Sequence, residues 1–423
     1  MKIVCVGGGP SGLYFSILAR LRSGGRDEVT VLERNGFGTA QGFAVTLGED
    51  ILDGLFRTDP VGAHAVRAAA HVWGEQVVEV GPSPVHLGGR YGYSIGRARL
   101  LEVLTERARQ VGVDVRFETE LTDDPAVDPL TADADLVVAA DGINSPIRNR
   151  HTDHFGTDVS HGTNRYVWFG TSKAFTAFTF AFEPTEAGWI WFHAYPAADC
   201  VSTCIVECSP RTWTGLGLDT MDPDEAMRML ERRFARALDG HTLIAPPGMG
   251  ASPWLRFREV RNSTWRRDNV VLMGDAAHTT HFAIGSGTKL ALEDAIKLAE
   301  VLNRPGLTRE AALAEYQAER NLEVLKLQNS ARNSTEWFET LDRYLHFEPI
   351  QFAYSLLTRS QRVSHENLRL RDRDWLEGVE RWFQSKARGR EVNEPAPPMF
   401  APFRLREMQL ANRVVVSPMA MYS

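Results

Sequence analysis

The chain has 423 residues, of which 43% are hydrophobic and 24% charged, with a formal net charge of −7. This length and apolar content suffice for a large core in two or three lobes, while the acidic balance offers no broad field to attract nucleic acid or an anionic membrane. No apolar run reaches transmembrane length and no signal-peptide core precedes the first glycines, so a cytoplasmic protein is expected.

The N-terminal stretch KIVCVGGGPSGLYFSILARL is an apolar strand, a turn and a helical pattern. Gly7, Gly9 and Gly12 stand in a GxGxxG frame, with Pro10 and Ser11 opening the helix. EVTVLER then forms a second strand, placing Glu33 and Arg34 at its end, about twenty residues beyond the glycines. Strand, glycine turn, helix and terminal acid together specify a dinucleotide site. The glycines admit a pyrophosphate to the helix N-terminus, and Glu33 accepts from ribose hydroxyls. Further on, TAQGFAV contains Gln41, and SIGRARLLEVLTERA predicts a helix opened by Arg97. DADLVVAADGINSPIR, residues 133 to 148, reads as a buried strand ending at Asp141.

Residues 165 to 208 alternate in the manner of antiparallel strands, with turns at EPTEAG and PAAD. Phe178, Phe180, Trp191 and His193 are candidate wall residues for a substrate pocket, although a half-buried sheet needs alternating aromatics in any case. Cys200, Cys204 and Cys208 fall on one such strand, where four residues span about 13 Å. They therefore read as structural rather than as a metal site, and no metal is expected. TWTGLGLD lacks the strand and acid of a second dinucleotide unit. DNVVLMGDAAHTTHFAIGSGTKLALEDAIKLAEVL is a buried strand ending at Gly274 and Asp275, a turn holding His278, His281 and Phe282, the last a further candidate for the substrate pocket, and a helix whose start carries Gly287, Thr288 and Lys289.

With motifs near residues 7, 141 and 275 in this order, the chain resembles the single-component FAD-dependent aromatic hydroxylases, the group of para-hydroxybenzoate hydroxylase, over roughly residues 1 to 390. The resemblance implies an α/β fold: a Rossmann-like FAD-binding domain of residues 1–160 with 255–305, an inserted antiparallel β-sheet substrate domain at 161–254, and a helical region at 306–390. It implies that Asp275 holds the ribityl and pyrophosphate part of FAD, that Asp141 touches both FAD and the approach of the nicotinamide, and that Arg97 and Gln41 reach the flavin. NADH or NADPH is then a transient co-substrate and O2 the oxidant, with hydroxylation through a flavin C4a-hydroperoxide. His281 is the candidate for orienting the ring substituent or taking its proton, and His278 is read as structural.

HFAIGSGTKLALEDA and VSHENLRLRD are similar to a sub-branch acting on aromatic coenzyme A thioesters, the salicylyl-CoA 5-hydroxylases and anthraniloyl-CoA monooxygenases. An aromatic thioester is therefore the expected substrate, and Arg359, Arg362, Arg369, Arg371 and Arg373 are candidates for its phosphates. A hydroxylase of free phenolic acids, or an FAD-dependent dehydrogenase or oxidase without oxygen insertion, are the alternatives. Homo-oligomerisation is left open. From residue 391 the sequence turns proline-rich, read as a flexible linker, and FAPFRLREMQLANRVVVSPMAMYS is similar to the first hairpin and strand of an Old Yellow Enzyme-like barrel. In a whole barrel Pro418, Met419 and Ala420 would abut FMN; a single strand reads as a truncated one.

Overall fold

The computed structural model describes residues 1–40, 42–89, 92–124, 128–246 and 253–416. Gln41, Pro418, Met419 and Ala420 lie outside them. Strand Lys2–Val6 is central in a six-stranded sheet, parallel to Glu28–Leu32 on one side and Leu136–Ala139 on the other. Asp114–Arg116 and Val270–Leu272 extend it in parallel, and Arg266–Arg267 closes one edge antiparallel. The central strands are apolar at nearly every position because both sheet faces are covered. Helix Pro10–Arg22 packs against both Arg97–Gln110 and Gly287–Leu302 beside this sheet.

The glycine turn is required by crowding. Gly7 has φ +109°, and a Cβ there would sit 2.3 Å from the Ala140 carbonyl oxygen; at Gly12 it would sit 2.1 Å from that of Gly7. Strand, turn and helix approach closely enough that only hydrogen fits.

The second lobe is a seven-stranded sheet in the order Leu243–Ile244, Arg165–Thr171, Val201–Cys208, Gly188–Ala198, Phe178–Thr185, Gln76–Val80, Val85–Leu87. The last two strands correct the expected domain division. Residues 76 to 87 belong to the substrate sheet, where Gln76–Val80 runs parallel to Phe178–Thr185. The reason is apolar complementarity: Val78 and Val80 pack with Phe180, Phe182 and Trp191. The lobes are also joined by a ribbon of Thr157–His161 with Arg258–Asn262. Cys204 and Cys208 are buried in their strand, among Leu230 and Phe234, while Cys200 is exposed.

Helices Arg309–Glu339, Pro349–Thr358, His365–Arg371 and Arg373–Arg388 make the C-terminal region. Among the described residues no helix is long and apolar enough to cross a membrane. The stretch expected to be a flexible linker is instead tied to the last helix. Val392 N–H donates to Ser385 Oγ (2.9 Å), Gln384 Nε2 donates to the Ala396 carbonyl (3.3 Å), and Ala401 is fully buried. Prolines cannot pair in a sheet, but their neighbours' carbonyls still accept. The hairpin of Phe403–Leu405 with Met408–Leu410 follows, and the Arg413 guanidinium lies over Phe383 and Phe403.

Candidate active site

A cavity of about 1120 Å³ runs from the C-terminal ends of the parallel strands to the seven-stranded sheet. Such a crevice is where open α/β sheets bind ligands. Gly7, Gly9, Pro10, Ser11, Glu33, Arg34, Arg97, Asp141, Asp275, Gly287, Thr288 and Lys289 all line it, as the sequence motifs require. Gly12 and Gly274 act behind the lining. Gly274 has φ +61°, and a Cβ there would meet Ser11 Oγ at 2.9 Å.

Glu33 holds the turn that it closes: its Oε2 accepts from Gly8 N–H (2.8 Å), and its Oε1 accepts from both nitrogens of Asn35 at 2.7 Å. Asp141 Oδ1 is buried and has no hydrogen-bond partner among the described residues. Burial raises the Asp141 carboxyl above its usual range, against the opposing pull of Ser145, Ile147 N–H and Arg148. Asp275 is exposed to the cavity, and desolvation by the surrounding protein raises its carboxyl as well, against the opposing pull of His278, Arg97 and Arg148. Both carboxyls face the cavity from the ends of adjacent parallel strands.

Two residues within these motifs, Arg148 and Asp294, fix this geometry. Arg148 joins the two acidic turns, donating from Nη2 to the Ile143 carbonyl (2.7 Å) and from Nη1 to that of Ala276 (3.2 Å). Asp294, fully buried, accepts from Gly274 N–H (3.1 Å), His278 Nε2 (2.8 Å) and Arg320 Nε (2.8 Å). Burial would raise its carboxyl, but His278 and Arg320 outweigh that and lower it. His278 is thus structural, as expected. Helix Gly287–Leu302 begins at the cavity with no side-chain cap, leaving first-turn N–H groups to face a ligand. Lys289 turns aside to pair with Asp50 and with Glu293 (3.0 Å).

At the far end the wall is aromatic. Phe178, Phe180, His193 and Phe282 line it as expected. They are joined by Tyr166, Trp168 and Tyr195, which the sequence reading did not single out; the signal was the same-face alternation of 166 with 168 and of 193 with 195. Trp168 also carries the Arg97 guanidinium, 5.1 Å above its ring.

Two expected residues are elsewhere. Trp191 shares a strand face with His193, but there the sheet is covered by helix Arg309–Glu339; its ring stacks on Phe338 at 5.7 Å and is buried in the core. His281 lies behind Phe282. Its Nδ1 accepts from Ala283 N–H (3.1 Å), and its ring packs on Phe257 and Phe282. It lines a separate cavity of about 200 Å³ with His161, Gln328 and Glu339 rather than the main one. The start of the 3-10 turn at 282 directs Phe282 inward and spends His281 on the backbone.

His193 therefore replaces His281 as the imidazole of the aromatic wall. No hydrogen bond to either ring nitrogen is found among the described residues, and the ring stacks with Phe178 and Tyr195. Burial, then the positive charge of Arg359, pushes its pKa down to about 3, so the ring is neutral. A fully buried carboxyl, Glu207, stands behind the wall opposite Trp191 in the strand register. Burial pushes it up to about 7, with Asn164 Nδ2 donating to Oε1 at 2.7 Å.

The chain matches the FAD binding domain family over residues 1–330. It is 37% identical to salicyloyl-CoA 5-hydroxylase of Streptomyces sp over 425 residues, covering 98% of this chain and 79% of that protein. It is 36% identical to 3-hydroxy-4-methyl-anthranilyl-[aryl-carrier protein] 5-monooxygenase of Streptosporangium sibiricum, covering 81% and 90%. Among solved structures, PqsL of P. aeruginosa in complex with 2-aminobenzoylacetate superposes with TM-score 0.64 at 21% identity, over 82% of this chain and 98% of that one. The p-nitrophenol 4-monooxygenase PnpA from Pseudomonas putida DLL-E4 gives 0.66 at 19%, over 89% and 97%. These two share the fold. The comparisons lend no support to the likeness of the C-terminal segment to an Old Yellow Enzyme-like barrel, and its hairpin alone cannot close one.

Proposed function

Because the chain belongs to the FAD binding domain family and is a flavin-dependent aromatic monooxygenase, we propose that it hydroxylates the aromatic ring of an acyl thioester such as salicyloyl-CoA or anthraniloyl-CoA. The observation that carries this reading is the continuity of one cavity from the acidic turns to the aromatic wall. Likeness to a hydroxylase of salicyloyl-CoA and to one of a carrier-bound anthranilyl group supports the thioester.

Asp141, Asp275, Glu33, the glycine turn and the start of helix Gly287–Leu302 would hold FAD. When bound, FAD accepts hydride from NAD(P)H and activates O2. The protein's part is placement. First-turn N–H groups at Gly287 stabilise negative charge at the adjoining cavity without a basic side chain. Tyr166, Phe178, Phe180 and Phe282 exclude water around the ring to be hydroxylated. His193, neutral at working pH, accepts a hydrogen bond from the ring's hydroxyl or amino substituent and so fixes which carbon is presented. At a pKa of about 3 it orients that proton rather than removing it.

The test is turnover under labelled O2 with salicyloyl-CoA, anthraniloyl-CoA, benzoyl-CoA and the free acids. One labelled oxygen in the ring of a hydroxylated thioester, matched to NAD(P)H consumed, is the expected result. NAD(P)H or substrate oxidation without label would make the protein a dehydrogenase or oxidase. Equal turnover of free salicylate or anthranilate would make it a general aromatic hydroxylase.

A further inference from the structure

We propose that Arg362 and Arg371 form a phosphate seat at the cavity rim that grips the phosphorylated carrier of the acyl thioester. The inference rests on the thioester reading above.

The segment from 359 to 373 holds five arginines, and the fold divides them. Arg359 is spent inside, donating to Ser334 Oγ (2.8 Å), to the carbonyls of Leu356 (2.6 Å) and Ala283 (2.7 Å), and lying over Phe180 and Phe338. Arg369 is paired with Glu380 and Glu366, and Arg373 with Glu377. Arg362 and Arg371 remain, and both line the main cavity beside Val363.

Arg371 is half-buried, and its Nη1 is fully buried with no acceptor among the described residues. Burial first, then the charge of Arg362, lowers its guanidinium from the usual arginine value. A guanidinium partly out of water beside a second, exposed guanidinium is unfavourable until an anion offsets the charge. The nearby carboxylates are taken. Asp372 accepts from Gly88 N–H (2.8 Å) and Trp375 N–H (3.0 Å), and Asp50, which feels the charge of Arg362, is paired with Lys289.

Arg371 is also fixed in place. Gly89, at φ +66°, lies so close that a Cβ would stand 1.6 Å from the Arg371 carbonyl oxygen, and the Gly88–Asp372 bond locks the neighbouring residue. A guanidinium fork on a fixed backbone at Arg371, with a second from Arg362 beside it, suits a phosphate or diphosphate. The glycine turn and helix Pro10–Arg22 in the other lobe would serve the diphosphate of FAD. A second set of phosphate donors implies a second phosphorylated ligand, either the thioester's carrier or NAD(P)H. The rim position on the helical region, next to the aromatic wall, favours the carrier.

The experiment compares Arg362→Gln, Arg371→Gln and the double variant on salicyloyl-CoA, on the phosphate-free N-acetylcysteamine thioester of the same acid, and with NAD(P)H varied. For the double variant, KM for salicyloyl-CoA should rise at least about tenfold and lose its salt dependence. The preference for salicyloyl-CoA over the phosphate-free thioester, as a ratio of kcat/KM, should fall by the same factor. An unchanged preference, whether KM stays constant or both thioesters weaken equally, overturns the seat, as does a rise confined to KM for NAD(P)H. If the wild-type protein hydroxylates free acids and neither thioester, the thioester reading falls and takes the seat with it. Turnover of salicyloyl-CoA with unaltered preference removes the seat alone.

Discussion

The two ends of the cavity are built on opposite plans. At one end backbone turns and carboxylates are held by hydrogen bonds from adjacent strand ends, and nearly every group is assigned by short-range geometry: Gly7 against Ala140, Glu33 on Gly8, Arg148 across two turns. At the other end the wall is made of side chains from strands and helices that meet only in the folded chain, with a neutral imidazole at its centre and guanidinium groups at its rim. The first plan suits a cofactor that is the same throughout a family. The second suits a substrate that differs between members, since its residues can change without disturbing the turn geometry.

The contrast breaks most severely at the cofactor end. Gly7→Ala places a Cβ 2.3 Å from the Ala140 oxygen at a positive φ, and should cost more than about 3 kcal/mol with loss of bound flavin. Absorbance of the purified protein and its melting temperature measure both. Asp275→Ala, which leaves the turn unstrained, should keep the fold and weaken FAD about tenfold to a hundredfold. Full flavin retention in both variants would mean that the backbone plan is misassigned.

At the substrate end Glu207 gives a pH signature. Its pKa in the folded protein, about 7, lies above the ordinary value of 4.5. The native state therefore holds a proton that the unfolded chain releases, and this contribution to stability is lost as pH rises from about 4.5 to 7. Glu207→Gln removes that loss, so the variant should gain on wild type by up to about 3 kcal/mol between pH 5 and 8. A constant difference in denaturant midpoint across that range would show that Glu207 stays ionised. The two histidines have the opposite sign: with folded pKa values near 3, they lose stability as pH falls below about 6.5.

The two histidines also sharpen the comparison in catalysis. His193→Phe should lower hydroxylation about a hundredfold and leave NAD(P)H oxidation running without product, whereas His281→Phe should stay within a few-fold. Equal losses would return His281 to the site. The smallest effect belongs to the C-terminal strap. Ending the chain at residue 390 removes the bonds that Gln384 and Ser385 of the last helix make to Ala396 and Val392, and should cost about 1 kcal/mol with FAD content unchanged.

What was legible follows from the same contrast. That Gly7, Gly9, Glu33, Asp141 and Asp275 face one cavity was readable because each belongs to a strand end whose turn dictates its residue type, and strand-turn-helix order is local. His281 was misplaced because its role depends on whether it or Phe282 points inward, which a 3-10 turn decides and spacing does not. Trp191 fits the strand alternation perfectly well, yet the face it shares with His193 is covered at one position by Phe338 and open at the next. The membership of residues 76 to 87 in the substrate sheet was hidden for a similar reason: an apolar strand pattern does not name its neighbour. Only the pairing with Phe178–Thr185 does so.

That excursion of residues 76 to 87 into the distant sheet, together with the ribbon of 157 to 161 with 258 to 262, means that the chain crosses between lobes several times. Neither lobe is a contiguous stretch of chain. The pairing of Gln76–Val80 waits for residue 182, and the parallel pairing of Leu136–Ala139 with Val270–Leu272 waits for residue 272. Loop-closure entropy is thus spent before most strand contacts can form, which makes for slow folding and exposes apolar strands meanwhile. The reward is cooperativity: heat or denaturant should melt both lobes in a single transition, and the cofactor end and the substrate end share one stability.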